Sequence, residues 1–386
     1  MPSATETDQQ FSMVTNGAEL NALCERLAQH RWLTIDTEFL RNDTYRPILC
    51  LVQIASADEA AIVDPMVIED LAPLWDLLMR PDITKVFHAG GQDLEIVFNA
   101  IGKLPENLFD TQIAAAVCGF AHQAGYGTLV KDILNVDLPK AFARTDWSRR
   151  PLSDDELEYA IGDVTYLRDI YHWLTEKLAS TGRSNWLEKE FTALSDPARY
   201  QVKPSDAWKK VKGLQRLKPA QRAIGRELAA WREQLAQQQN RPRGRIIKDD
   251  QILDLAKRKP TDIATLGRMQ GFHPGLIKKH GEALLSCIRQ AEITELDRLE
   301  HKKPASLSPG KQLLADTLFA IMRQQALSQG ISPETIGNKS AIENLLADKT
   351  GPLSSGWRYE AIGKTLEGVA NGERKLAVVD GELTIE

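Results

Sequence analysis

Two carboxylates, Asp36 and Glu38, stand two positions apart inside the apolar run Trp32-Leu-Thr-Ile-Asp-Thr-Glu-Phe39. Such a run reads as a buried strand, and strand side chains alternate between faces, so both acids fall on the same face. Paired acids there repel one another and lose solvation unless a cation holds them; a strand end where both reach water is the other way to relieve them. Further acids follow along the chain. Asp93 closes the segment His88-Ala-Gly-Gly-Gln-Asp93 at the start of an apolar helix, where it either projects over a sheet end or serves the first helical turn. Tyr159 and Asp163 are four apart and share one face of a later helix. Taken singly, they are a core aromatic and a solvated acid. Brought together, these acids would form a set of hard oxygen donors for divalent cations.

The elements that must position them follow from hydrophobic spacing. Strands are expected at Phe11–Val14, Trp32–Phe39, Ile48–Ala55, Ala60–Val63 and Thr84–Phe87, the middle three as an antiparallel meander. Helices are expected at Glu19–Gln29, Glu69–Met79, Asp93–Ile101, Thr111–Cys118 and Tyr126–Leu134. His88 reads as a strand-end residue that orients its loop. Ser153-Asp-Asp-Glu156 is a capping-box pattern, and Leu157, Ala160, Ile161, Val164, Leu167, Ile170, Tyr171 and Leu174 continue it as one apolar helical stripe. Strands first, then a strand with helices, implies a mixed α/β sheet.

Jointly, Asp36-x-Glu38 on a strand, Asp93 on a strand–helix loop and Tyr159-x-x-x-Asp163 on a later helix resemble the three motifs of the DEDD superfamily of 3′→5′ exonucleases. The tyrosine resembles that of the tyrosine subclass; where the histidine subclass carries histidine, this chain has Glu158. Within the superfamily the chain is similar to the bacterial ribonuclease D family. Thr34-Ile-Asp-Thr-Glu-Phe-Leu-Arg41, Leu51-Val-Gln-Ile-Ala55, Phe109-Asp-Thr111, Asp146-Trp-Ser-Arg-Arg-Pro-Leu152 and the Tyr159–Leu167 segment carry the likeness. The resemblance implies a ribonuclease-H-like mixed sheet and hydrolysis with two divalent cations, Mg²⁺ or Mn²⁺, about 3.5–4 Å apart. It implies that Asp36, Glu38 and Asp163 hold the cation that activates water, that Asp36 bridges to the second, and that Asp93 holds the second largely through water. Tyr159 would orient the attacking water, and Glu38 would also touch the terminal ribose hydroxyl. Thr37 and Phe39, flanking the acids, are candidates to contact the terminal nucleotide, and His88 to approach the phosphate. Lys140, Arg144, Arg149 and Arg150 are candidates to line the RNA path. Ordinary surface is the alternative for each. Gly125-Tyr-Gly-Thr-Leu129 resembles a segment beside the active site, with its tyrosine and leucine expected to be structural.

Charge divides the chain. Residues 1–200 sum to −14, residues 201–290 carry 20 Lys/Arg against 8 Asp/Glu, and the rest sum to −3 within an overall −5. A basic middle suits a polyanion or simply a solvated helical surface. Three domains are expected: 1–200 as the exonuclease; 201–295 as a helical bundle that resembles the helicase-and-RNase-D C-terminal (HRDC) domain and grips RNA phosphates; and 305–386 as a second, divergent helical copy with a packing role. The tail Lys375–Glu386 is expected to form a short strand or stay loose. Removing residues 201–386 should then leave a catalytic body that still cleaves short single strands.

Four scattered cysteines (Cys24, Cys50, Cys118 and Cys287) form no C-x-x-C, and Met1–Gln10 is polar without a signal-peptide core. No apolar run approaches a membrane span. A cytoplasmic monomer is the expectation. The resemblance implies an exoribonuclease that trims tRNA precursors and other small structured RNAs from the 3′ end, releasing nucleoside 5′-monophosphates. A DNA exonuclease and a non-catalytic RNA-binding protein are the alternatives.

Overall fold

A computed structural model describes residues 11–139, 142, 145–293, 307–379 and 382–386. Six strands, β1 (Ser12–Val14), β2 (Trp32–Leu40), β3 (Ile48–Ala55), β4 (Ala60–Val63), β5 (Thr84–Phe87) and β6 (Leu108–Asp110), form one sheet in the order β1-β4-β3-β2-β5-β6. β3 and β4 are antiparallel, as the meander requires, whereas β1 joins β4 in parallel, and β2, β5 and β6 run parallel. The acid-bearing β2 is therefore an interior strand, and Leu33, Thr34 and Ile35 are at most 1% exposed. β6 is three residues long, too short for its own periodicity to announce, and pairs Phe109 with Val86.

Helices α1 (Gly17–Leu27), α2 (Ala72–Leu78), α3 (Gly91–Ile101), α4 (Thr111–Ala116), α5 (Tyr126–Leu129), α6 (Asp154–Ser180) and α7 (Glu188–Leu194) accompany this sheet. Local chemistry sets their ends. α1 starts two residues earlier than its apolar spacing suggests because the Asn16 side chain accepts the Glu19 N–H. α2 starts later than expected, with Pro73 in its first turn. The capping box at Ser153 is present in full and launches the 27 residues of α6. Of the expected stripe, Ala160, Ile161, Val164, Leu167, Ile170 and Leu174 are buried; Leu157 and Tyr171 are partly exposed.

Packing divides the chain into two units. One contains residues 39–48 and 197–303, with helices α8 (Pro219–Gln239), α9 (Arg243–Ile246), α10 (Asp249–Arg258), α11 (Ile263–Gly267) and α12 (Pro274–Ile293). Ile224, Leu228, Ile252, Leu255 and Leu284 centre its core. Within it the Tyr45 hydroxyl donates to Glu233, which is fully buried, and the Arg46 N–H donates to Asn240 Oδ1 at 2.9 Å.

The other unit contains the sheet, α1–α7 and the C-terminal elements α13 (Pro309–Ser328), α14 (Pro333–Ile336), α15 (Lys339–Asp348), α16 (Gly356–Arg358), α17 (Lys364–Ala370) and the antiparallel hairpin β7 (Leu376–Val379) and β8 (Glu382–Ile385). Leu318, Ile321, Met322 and Ile342 share one hydrophobic core with Ala114, Val117, Leu167 and Ile170. Polar bonds reinforce this: the Arg183 guanidinium donates to the carbonyls of Val117 and Gln329, both at 2.6 Å, and Glu190 accepts from Trp357 Nε1 at 2.9 Å and from Arg358. Trp186 and Trp357 stack at 4.9 Å. Packing units and sequence segments are thus different divisions of this chain.

The shared core changes what truncation should do. A fragment ending at residue 200 removes the α13–α15 part of the hydrophobic core shared with α4 and α6, a loss of many side chains each contributing about 1.5–3 kcal/mol. It is expected to lose its cooperative thermal transition and bind a hydrophobic dye, instead of persisting as a working nuclease. A sharp transition within a few degrees of the full chain would show that the C-terminal helices are dispensable.

Candidate active site

Residues 34, 36 and 38 alternate onto one face of β2, opposite α6. Carboxylate oxygens of Asp36, Glu38 and Asp163 lie within 4.8 Å of one another. Asp93 lies outside that set, in the first turn of α3 and 7% exposed, where the Thr37 hydroxyl donates to its Oδ1 at 2.5 Å. Thr37, a candidate nucleotide contact, thus holds a carboxylate in this structure. Asp110 shapes the loop before Asp93: it accepts the N–H groups of Ala89 at 3.1 Å and Gly90 at 3.0 Å. Gly90 must be glycine, since a Cβ there would stand 2.5 Å from Phe87 Cβ.

Electrostatics follow from this crowding. Burial, then repulsion from Asp93, Asp163 and Glu38, raises Asp36 well above the usual carboxylate range. Burial and the charges of Asp163 and Asp93 push Glu38 up to about 8. Asp163 rises to about 7 through burial and Asp93, and Asp93 to about 6 through burial, which outweighs the Thr37 hydrogen bond. Acids so placed exchange protons for a cation readily. Three converging hard oxygen donors with perturbed protonation fit a divalent metal such as Mg²⁺ or Mn²⁺.

Tyr159 sits one helical turn before Asp163 on α6, and burial followed by Asp163 pushes its phenol up to about 12. Its ring stacks on Trp147, which is 3% exposed, with centroids 6.2 Å apart, and tilts against Phe142 at 5.6 Å. The Trp147 stacking lay hidden in the sequence, although Asp146-Trp-Ser-Arg-Arg-Pro151 marks the segment. His88 lies beside Tyr126, ring centroids 5.5 Å apart, with Nδ1 3.0 Å from the Thr111 hydroxyl. Burial lowers its pKa, so it is neutral near pH 7. Phe39 remains partly exposed on β2.

Of the basic candidates, Arg149 bonds Glu156 at 2.7 and 3.0 Å while 60% of its side chain stays exposed. Arg150 is committed elsewhere: it grips both Asp64 oxygens at 2.6 and 2.7 Å and the Cys50 carbonyl at 2.9 Å. Lys140 and Arg144 lie outside the described residues. Among the described residues no helix is long and apolar enough to cross a membrane, and the four cysteines form no disulfide.

Comparison with known proteins agrees with this geometry. The family described as 3′-5′ exonuclease matches residues 11–179, and the HRDC domain matches residues 221–288. Ribonuclease D from Sphingobium indicum is 39% identical over 380 residues, covering 96% of this chain and 97% of the relative. Ribonuclease D from a Jannaschia species is 40% identical, covering 94% and 96%. The chain belongs to the ribonuclease D family. It is a 3′→5′ exoribonuclease. The crystal structure of Escherichia coli RNase D, an exoribonuclease involved in structured RNA processing, superposes with a TM-score of 0.80 at 30% identity, covering 94% of this chain and 99% of that one. The mixed sheet with flanking helices and the helical C-terminal half are the ribonuclease D architecture.

Metal and pH should act together on stability. Raised carboxylate pKa values mean that the metal-free folded state holds protons the unfolded chain has released, so its stability falls as pH rises from about 4 to about 8. A divalent cation taken up by these carboxylates would replace those protons. The rise in melting temperature on adding Mg²⁺ over EDTA should therefore be larger at pH 8.5 than at pH 5.5, and Glu38→Gln should flatten the difference. Equal shifts at both pH values would contradict the assignment.

Proposed function

We propose that this exoribonuclease trims 3′ extensions from tRNA precursors and other small structured RNAs as a cytoplasmic monomer, releasing nucleoside 5′-monophosphates. The observation that carries the reading is the convergence of Asp36, Glu38 and Asp163 within 4.8 Å. Together with Asp93 they would hold two divalent cations, Mg²⁺ or Mn²⁺. When bound, such cations activate water and stabilise charge on the phosphate and the leaving 3′ oxygen.

The side chains do the rest by placement. Tyr159, with a phenol pKa of about 12, stays protonated and orients the attacking water by hydrogen bonding without removing its proton. Its ring is fixed by Trp147 and Phe142, so the hydroxyl is aimed in advance. Thr37 holds the Asp93 carboxylate. Phe39, next to Glu38, offers a ring to the terminal base, and neutral His88 offers a hydrogen bond near the phosphate without repelling a cation. Arg149 retains enough exposure to meet the RNA backbone.

The helical unit has its own polyanion feature. A cavity of about 640 Å³ within it is lined by Arg241, Arg245, Lys248 and Lys279, all exposed, against two carboxylates, Asp250 and Asp254. Side chains of this kind grip phosphates and leave sequence unread.

On a 5′-labelled tRNA bearing a few extra 3′ nucleotides, the protein should produce a ladder that shortens one nucleotide at a time with Mg²⁺ or Mn²⁺ and not with EDTA. Asp163→Asn should lower the rate by two or more orders of magnitude while leaving the circular dichroism spectrum intact. An intact tRNA alongside a degraded DNA strand of the same sequence would redirect the assignment to DNA.

Binding tests the helical unit separately. Replacing Arg245 and Lys248 by Gln in the Asp163→Asn background should weaken RNA binding and reduce the log–log salt slope by roughly 0.7 for each phosphate no longer neutralised. An unchanged slope would remove this cavity from the RNA path.

A further inference from the structure

Asp163 sits between two helix carbonyls that each accept an extra bond from a side chain outside the helix. The carbonyl of Gly162, immediately before it, accepts from the Tyr126 phenol at 2.8 Å. The carbonyl of Val164, immediately after it, accepts from the Thr34 hydroxyl at 2.9 Å. Both positions lie inside α6, where each carbonyl also serves the helical N–H four residues on; the side-chain hydroxyls use the second lone pair. Thr34 is fully buried and shares its strand face with Asp36 and Glu38. The same face of β2 therefore bonds the backbone of α6 through residue 34 and meets the Asp163 carboxylate through residues 36 and 38.

The need for such a device follows from the charges. Three carboxylates held this close push β2 and α6 apart, and the helix resists only where something ties its backbone to the strand. Hydrogen bonds from neutral hydroxyls to carbonyls do so without placing a cation beside the acids, where it would compete with a metal for them. We propose that Thr34 and Tyr126 are positioning residues that clamp the backbone on either side of Asp163 and so set the spacing of the carboxylate set for metal binding. Neither touches the reacting atoms. The clamp acts only through Asp163, and rests on Asp163 being a metal ligand.

Thr34→Val and Tyr126→Phe remove one hydroxyl each at nearly constant shape, and the helical bond of each carbonyl survives. Each is expected to lower kcat about tenfold or more with KM for a short RNA changed less than about twofold, because a misplacement of about 1 Å can cost about 100-fold in rate. Mn²⁺ affinity, measured by calorimetry without RNA, should fall several-fold in step. Thr34→Ser, which keeps the donor and loses a methyl, should recover most of what Thr34→Val loses. The clamp is overturned if Thr34→Val and Tyr126→Phe keep wild-type kcat and Mn²⁺ affinity, or if Thr34→Ser is as impaired as Thr34→Val, which would make side-chain volume the cause. Asp163→Asn in the same calorimeter separates the two readings. If it binds Mn²⁺ as wild type does, the ligand assignment fails. If it loses Mn²⁺ while the hydroxyl variants keep it, only the clamp fails. Should Tyr126→Phe melt early, the comparison of valine with serine at position 34 decides alone.

Discussion

Three carboxylates within 4.8 Å of one another cannot all remain ionised in a half-buried setting without a counter-cation. At an effective dielectric near 20, each ionised pair at that distance costs about 3–4 kcal/mol. Three such pairs approach the whole net stability of an ordinary domain, about 5–15 kcal/mol. The metal-free protein answers by holding protons: burial first, and then neighbouring carboxylates, push Glu38 up to about 8 and Asp163 up to about 7. Folding and cation binding are therefore parts of one equilibrium in this chain, and the rest of the architecture can be read as what keeps mutually repelling groups in register.

Each acid is supplied by an element stabilised elsewhere. β2 is an interior strand whose first half is buried through Leu33, Thr34 and Ile35, so the acids at 36 and 38 are carried by a strand that is held in the sheet ahead of them. α6 is anchored at one end by a full capping box and along its length by a stripe that continues into the core shared with α13–α15. That shared core accounts for a helix that runs on well beyond Asp163: Leu167, Ile170, Leu174 and Leu178 of its later turns belong to the same hydrophobic cluster as α13–α15. Asp93 depends on Asp110, which bonds the turn of the preceding loop from the neighbouring strand.

How much of this the sequence announces depends on range. Asp36, Glu38, Asp93, Tyr159 and Asp163 stand out because residue type and local spacing are themselves the signal, and the capping box is confined to four residues. β6 escapes notice because three residues carry no period. The roles of Thr34 and Tyr126 are invisible for a different reason. Thr34 meets a carbonyl 130 residues away, and a threonine in an apolar strand is an ordinary β-former until its partner is known. Tyr126 reads as structural in a Gly-rich segment, which is true of its ring and incomplete for its hydroxyl. Arg150 shows the converse: basic residues before a helix look available for phosphates, yet this one is bound on both edges by Asp64 and the Cys50 carbonyl.

The chemistry of the supports is as telling as that of the acids. A lysine or arginine could have neutralised the carboxylates and made the fold more stable without metal, but it would occupy the donors a dication needs. The groups that hold this site in place are instead neutral: threonine hydroxyls at 34 and 37, the Tyr126 phenol, and aromatic rings against Tyr159. They fix geometry and leave the charge uncompensated. Instability of the empty site is the consequence, and it is also the source of metal affinity, because the repulsion that protons only partly relieve is what a divalent cation removes.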